Sequence, residues 1–171
     1  MNDDSLRGLE QSARAAAVVY HAGQKYGDKP YVVHLDAVVG VLVEHGVTDP
    51  VFLAAGFLHD SLEDTSCTRS ALASAFGDSV VALVDAVTDG EGATRKERKV
   101  RSYALINATP GAVVIKLADR IANVRASIAD NPRMLGVYAS EYGHFRSTLY
   151  DSEDALAAPF WVTLDALLRS A

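Results

Sequence analysis

Cysteine is almost absent from this 171-residue chain: Cys67 stands alone. An intrachain disulfide is therefore excluded, and so is a thiolate metal cluster, which needs several sulfur ligands. Long apolar runs are missing too. The longest, Val51 to Leu58 with one glycine, is far short of the ~20 residues that span a bilayer. Cations are outnumbered, with 16 Lys and Arg against 22 Asp and Glu and a net charge of −6, which speaks against general nucleic-acid binding. No heptad run, low-complexity tract or Pro/Gly/Ser-rich linker divides the chain. The N-terminus, Met1-Asn2-Asp3-Asp4, lacks the basic start of a secretory signal. These absences predict one domain over residues 1–171, with no membrane partner and a cytoplasmic setting.

The apolar spacing that remains is helical. Leu35, Val38, Val39 and Leu42 follow i, i+3, i+4, i+7, and Val114, Leu117, Ile121, Val124 and Ile128 form a similar stripe. Asp49-Pro50 reads as an N-cap with proline at the first helical position, and Thr68 as another N-cap. Tyr31-Val32-Val33 and Val113-Val114-Ile115 are β-branched, but each is short and runs into a helical pattern. The chain is predicted to be all-α, a compact bundle of about eight or nine helices.

One segment is electrostatically awkward. A helix predicted from Pro50 to Leu62 is apolar all round over Val51–Leu58, the mark of a buried element. It then runs into His59-Asp60-Ser61-Leu62-Glu63-Asp64. Carboxylates at a helix C-terminus oppose its dipole, and crowding them adds like-charge repulsion. Either the helix surfaces here and the acids are solvated, or a cation from elsewhere offsets them. His59 and Glu63 are one turn apart, as are Asp60 and Asp64. His34, alone, reads more readily as a cap or a core residue than as a ligand. On the helix predicted over 110–129, Lys116, Asp119 and Asn123 share a side away from the apolar stripe, which periodicity assigns to solvent. Ala118, Ala122 and Ala126 would let another helix approach closely.

Taken together and in order, these pieces resemble the HD superfamily of metal-dependent phosphohydrolases. The closest resemblance is to the hydrolase domain of RelA/SpoT proteins and the free-standing small alarmone hydrolases. It rests on Pro30-Tyr31-Val32-Val33-His34, on Leu58-His59-Asp60-Ser61-Leu62-Glu63-Asp64-Thr65, on Phe76-Gly77 with Val87-Thr88-Asp89, and on Lys116-Leu117-Ala118-Asp119-Arg120 with Asn123 and Arg125. It covers roughly residues 13 to 128.

The resemblance implies an all-α HD domain with one Mn²⁺-type ion on His34, His59, Asp60 and Asp119. Two imidazoles with two carboxylates also suit Fe, Co or Zn. It implies that Glu63 and Asp64 position and deprotonate the attacking water, and that Asn123 holds the nucleotide sugar or phosphate. The implied activity is pyrophosphate release from the 3′ position of guanosine 3′,5′-polyphosphates such as ppGpp, so the implied partner is a small anionic nucleotide. The alternatives are another 3′-phosphorylated nucleotide, including an adenine alarmone or a phosphorylated cofactor, and a non-catalytic nucleotide sensor.

The chain departs from the family in the loop Gly23–Lys29. The family's Gly-Gln-x-Arg-Lys-x-Gly is here about one residue shorter and lacks the arginine. Lys25 and Tyr26 remain for the substrate, Tyr26 offering a face on which a base can stack. The run Arg95-Lys96-Glu97-Arg98-Lys99-Val100-Arg101 reads either as a solvated helix face or, through Arg95, as a phosphate contact like the matching basic position of small alarmone hydrolases. Tyr138, Tyr142, Phe145 and Tyr150 have the spacing of core residues, although Tyr142 matches a family position able to touch the nucleotide.

Overall fold

The computed structural model describes residues 3–90 and 94–170, with their side chains except those of 3–7, 95, 96 and 101. In chain order the elements are α1 (Asp3–Tyr20), β1 (Lys25–Tyr26), β2 (Lys29–Pro30), α2 (Val32–Glu44), α3 (Pro50–Leu58) and α4 (Ser61–Asp64). There follow α5 (Arg69–Phe76), α6 (Asp78–Val87), α7 (Arg95–Ala108), α8 (Ala112–Asp130), α9 (Pro132–Leu149) and α10 (Ala158–Arg169). The all-α prediction holds, with α4 a single turn beside the longer helices. Both β-branched segments, over residues 32–33 and 113–115, are helical.

Helix α3 lies inside the bundle, against α1, α2, α6 and α8. Its lack of a polar face is the reason: Leu53 to Leu58 are all buried, so every side of the helix requires a neighbour. Asp49 starts it, accepting the Val51 N–H at 2.9 Å ahead of Pro50. Gly56 sets how closely α2 approaches. A Cβ there would lie 2.9 Å from Leu42 Cδ1 and 3.1 Å from Val39 Cγ2. Helix α8 is the second hub, packed on α2, α3, α6, α7, α9 and α10. It buries Val114, Leu117, Ile121 and Val124, while Ile128 is exposed near its end. Thr68 caps α5 as predicted, accepting the Ala71 N–H at 3.2 Å.

Two local predictions fail. The helix predicted from Pro50 to Leu62 breaks at His59-Asp60, and α4 resumes with Asp60 in the N-cap position. At the break, His59 Nδ1 donates to the Gly56 carbonyl at 2.8 Å, the acceptor that a continuing helix presents to residue 60. Glu63 and Asp64 consequently sit in the single turn of α4 rather than at the end of α3. The acids are thereby moved off the C-terminus of the buried helix, while the repulsion between Asp60 and Asp64 remains.

The second miss is the antiparallel pair β1–β2, in register Lys25↔Pro30 and Tyr26↔Lys29. Its two-residue loop opens on Gly27 at φ +60, the position where a tight hairpin turn demands a positive φ. Two residues per strand are too few to show a period of two in a sequence.

Candidate metal and nucleotide site

The helix break aims the imidazole. Because a carbonyl can only accept, the contact with Gly56 fixes the proton of neutral His59 on Nδ1 and leaves a lone pair on Nε2. That Nε2 is buried and has no hydrogen-bond partner of proper geometry, although Asp60 Oδ2 lies 3.0 Å away. His34 enters from the first turn of α2 and Asp119 from the middle of α8. His34, His59 and Asp119 place one donor atom each within 4.8 Å of the others.

The spacings suit an ion. His34 Nε2 lies 3.5 Å from Asp119 Oδ1 and 3.7 Å from Asp60 Oδ2, and His59 Nε2 lies 3.8 Å from Asp119 Oδ1. Ligand atoms about 2.1 Å from a common ion are roughly 3.0–3.4 Å apart, so small side-chain shifts would close the set. Two imidazoles and two carboxylates form a nitrogen and oxygen donor set fit for a divalent transition metal. The electrostatics agree. Burial would lower the His59 pKa, but Asp60 and Asp119 outweigh it and raise it to about 9. Burial works against the charge of Asp60 as well, yet His59 holds its pKa down at about 2. Asp119 is likewise held low against burial, by His34, Lys116 and His59. The two carboxylates thus favour positive charge at His59.

Around this centre lies a small cavity of about 160 Å³. Its lining mixes acids, Asp60, Asp119, Glu63 and Asp89, with the cations Lys99, Lys116 and Arg120, and Lys116 Nζ lies 3.7 Å from Asp119 Oδ2. Glu63 Oε2 accepts the Asp89 N–H at 3.0 Å, and the Ser102 hydroxyl donates to the Asp89 carboxylate at 3.0 Å. Glu63 and Asp64 face solvent on one flank. Partial burial is the main cause that raises the pKa of both, reinforced at Asp64 by the Asp60 charge. Burial opposes the Lys116 charge, but Asp119 and Asp89 raise its pKa and keep it a cation. Arg120 is buried between the rings of Tyr138 and Phe145, at 4.8 and 4.6 Å, and pairs with Glu141 at 3.4 Å. Lys99 reaches the same carboxylate at 3.4 Å.

A larger groove of about 930 Å³ opens from this cavity, and Tyr26, His34, Asn123 and Tyr138 line both. Farther out its walls include Val33, Ala126, Met134 and Lys29. Tyr26 stacks on His34 with centroids 4.7 Å apart, and its hydroxyl donates to Asn123 Oδ1 at 2.7 Å. Burial raises the Tyr26 pKa to about 12, so the phenol stays a donor. Asn123 donates in turn to Asp119 Oδ1.

The structure thus brings together His34, His59, Asp60, Asp119, Glu63, Asp64, Tyr26 and Asn123. Two of the remaining predicted contacts stand apart. Lys25 is exposed and outside the linings of both cavities, where Lys29 appears instead. Tyr142 is also outside both linings, its hydroxyl accepting from Arg146 at 3.3 Å. Arg95 begins α7, but its side chain lies outside the described residues. Lys116, Asp119 and Asn123 do not face bulk solvent as periodicity suggested; they wall the cavity. Nor is the basic run wholly a solvated face, since Lys99 is buried. Sequence reasoning missed Asp89, Lys99 and Tyr138 as lining residues. Val87-Thr88-Asp89 was the available signal for the first, whereas Tyr138 carries only core spacing.

The HD domain family model matches residues 12–141. Human guanosine-3′,5′-bis(diphosphate) 3′-pyrophosphohydrolase MESH1 is 40% identical over 130 residues, which cover 73% of this chain and 72% of that protein. The GTP pyrophosphokinase of Streptomyces coelicolor is 41% identical over 128 residues, and the match spans only 15% of its length. Among solved structures, a metazoan ortholog of SpoT that hydrolyses ppGpp superimposes with a TM-score of 0.79 at 26% identity, over 95% of this chain and 94% of that one. A Listeria monocytogenes protein shares the fold, with a TM-score of 0.68 at 22% identity.

Proposed function

Because this chain belongs to the HD domain family, we propose that it is a metal-dependent 3′-pyrophosphohydrolase of guanosine 3′,5′-bis(diphosphate). Residues 1–171 act in this reading as one catalytic unit in the cytoplasm, on a small nucleotide and not on nucleic acid. The observation that carries it is the convergence of His34, His59 and Asp119, with Asp60 alongside, beside a cavity that also carries Lys99, Lys116 and Arg120 and that shares His34 with a larger groove. Its support from relatives is the 3′-pyrophosphohydrolase activity that the human protein's name states.

Manganese is the proposed ion, on His34, His59, Asp60 and Asp119; a divalent ion there polarises a phosphoryl oxygen and makes water more acidic. The chain's own groups do the rest. The groove takes the nucleoside, with Tyr26 and Tyr138 offering ring faces and Asn123 a polar edge. Lys99, Lys116 and Arg120 face the negative pyrophosphate group. Water adds to the phosphorus attached to the ribose 3′ oxygen, and the bond to that oxygen breaks. Glu63 and Asp64, at the open rim, take the water's proton, general-base work commonly worth about 10²–10⁴ in rate. The 3′ oxygen leaves with a proton, giving GDP and pyrophosphate. Purified protein with Mn²⁺ should release pyrophosphate from ppGpp, and Asp60→Ala or Glu63→Ala should abolish the release. No pyrophosphate at saturating metal contradicts the proposal.

The hairpin favours a second reading of the substrate. With Lys25 outside both cavities and the family's arginine missing, the base is held by stacking, which tolerates other purines. A panel of 3′-phosphorylated guanine and adenine nucleotides decides: a higher kcat/KM for an adenine compound supports this second reading over ppGpp.

A further inference from the structure

Tyr31, which neither the ligand set nor the proton-handling pair includes, touches both. Its hydroxyl lies 2.7 Å from Asp60 Oδ2 and 3.4 Å from Asp64 Oδ2. The same Asp60 oxygen faces His59 Nε2 at 3.0 Å and His34 Nε2 at 3.7 Å. A phenol has one proton to give, and the shorter contact receives it, so Tyr31 donates to the ion-facing oxygen of Asp60.

The ring is clamped in place. The buried imidazole of His21 stacks on it nearly parallel, with centroids 4.6 Å apart and planes 12° apart. His21 Nδ1 meets Gln24 Oε1 at 2.7 Å, while Gln24 Nε2 donates to the Asp64 backbone carbonyl at 2.7 Å. The Gln24 amide spends its NH₂ on Asp64, so its oxygen is the acceptor and His21 Nδ1 carries the proton. The Tyr31 N–H closes the loop on the Gln24 carbonyl at 3.2 Å. One segment, from His21 to Tyr31, therefore grips Asp60 by its side chain and Asp64 by its backbone.

The geometry points to Tyr31 as a positioning residue: its hydroxyl orients the Asp60 carboxylate toward the ion, and His21 keeps the ring in register. This rests on reading the His34, His59, Asp60 and Asp119 cluster as a divalent-metal site. Hydrogen-bond partners of ligating side chains typically govern about 10- to 100-fold in metal affinity or activity. A ring needed only to fill space would be served equally by phenylalanine.

The test is a calorimetric Mn²⁺ titration of wild type, Tyr31→Phe, His21→Ala and His21→Phe, with thermal unfolding as a folding control. Tyr31→Phe keeps the stacked ring and loses the hydroxyl. It should unfold at the wild-type temperature and bind Mn²⁺ about tenfold more weakly. His21→Ala should weaken binding as well, and His21→Phe, which restores a stacking face, should recover it. A fall of about fivefold or more in Tyr31→Phe carries the inference, and anything smaller overturns it. If Tyr31→Phe fails to fold, the His21 pair decides by the same threshold. Wild type that binds Mn²⁺ but releases no pyrophosphate defeats the functional proposal and leaves this one standing. Wild type that takes up no ion defeats both.

Discussion

The Tyr26 hydroxyl donates to Asn123 Oδ1 at 2.7 Å across 97 residues of sequence. The bond ties the β1–β2 hairpin to α8 over the mouth of the groove, and Asn123 passes it on to Asp119. Tyr26 and Asn123, both proposed substrate contacts, therefore hold each other, and a nucleotide entering the groove would meet them as a pair. In Tyr26→Phe the stack on His34 survives and the bond is lost. A hydrogen bond of this kind is worth about 0.5–1.5 kcal/mol, so KM for the nucleotide should rise roughly two- to tenfold with kcat little changed. Steady-state kinetics check this, and a fall in kcat at constant KM would contradict it.

Glu63 and Asp64 divide from the metal ligands in their expected phenotypes. Glu63 is held by the Asp89 N–H and Asp64 by Gln24, which donates to its backbone carbonyl, and neither belongs to the ion-facing cluster. Glu63→Gln should lose about 10²–10⁴ in kcat and still bind Mn²⁺ like wild type. His59→Ala should lose both. Titration calorimetry beside the activity assay separates the two classes, and loss of metal from Glu63→Gln would overturn the division.

Metal affinity should depend steeply on pH. His59 must be neutral to present its Nε2 lone pair, yet without an ion its pKa is raised to about 9. Below that value a proton competes with the ion, and apparent affinity should weaken about tenfold per pH unit. The sign for stability follows from the same shift. The folded pKa exceeds the unfolded one, so the ion-free protein is stabilised at low pH and loses that contribution as pH rises through about 9. Mn²⁺ titrations at pH 6, 7 and 8 test the first expectation, and a flat profile contradicts it. Melting temperatures of metal-stripped protein across the same range and up to pH 9 test the second.

Gly56 links the core to the ligand. A methyl group there would lie 2.9 Å from Leu42 Cδ1 and 3.1 Å from Val39 Cγ2, so these buried side chains must shift beside the residue whose carbonyl orients His59. Gly56→Ala should cost about 1–3 kcal/mol of stability and weaken Mn²⁺ binding. A melting temperature and metal affinity equal to wild type would refute the link.

The elements most legible in the sequence were those with local causes. The Asp49 and Thr68 caps and the all-round apolar stretch of α3 need only their neighbours, and the structure has them all. The proposed metal ligands are legible only through the family resemblance, because His34, His59 and Asp119 come from three separate parts of the chain and no single spacing joins them. The break at His59-Asp60 was illegible, since helix propensity does not register an imidazole turning back onto a carbonyl. Lys116, Asp119 and Asn123 were assigned to solvent because a helical wheel shows which residues share a side, not what that side faces. Tyr31 and His21 act through contacts with a distant helix turn, which one sequence cannot display.

The most direct test of the central claim is product identification by phosphorus NMR, with Mn²⁺-loaded protein and ppGpp in the tube. The account predicts one equivalent of pyrophosphate and one of GDP, with no orthophosphate, and none of these products after chelation or in Asp60→Ala. Orthophosphate as the phosphorus product, or an unchanged substrate at saturating Mn²⁺, would contradict it.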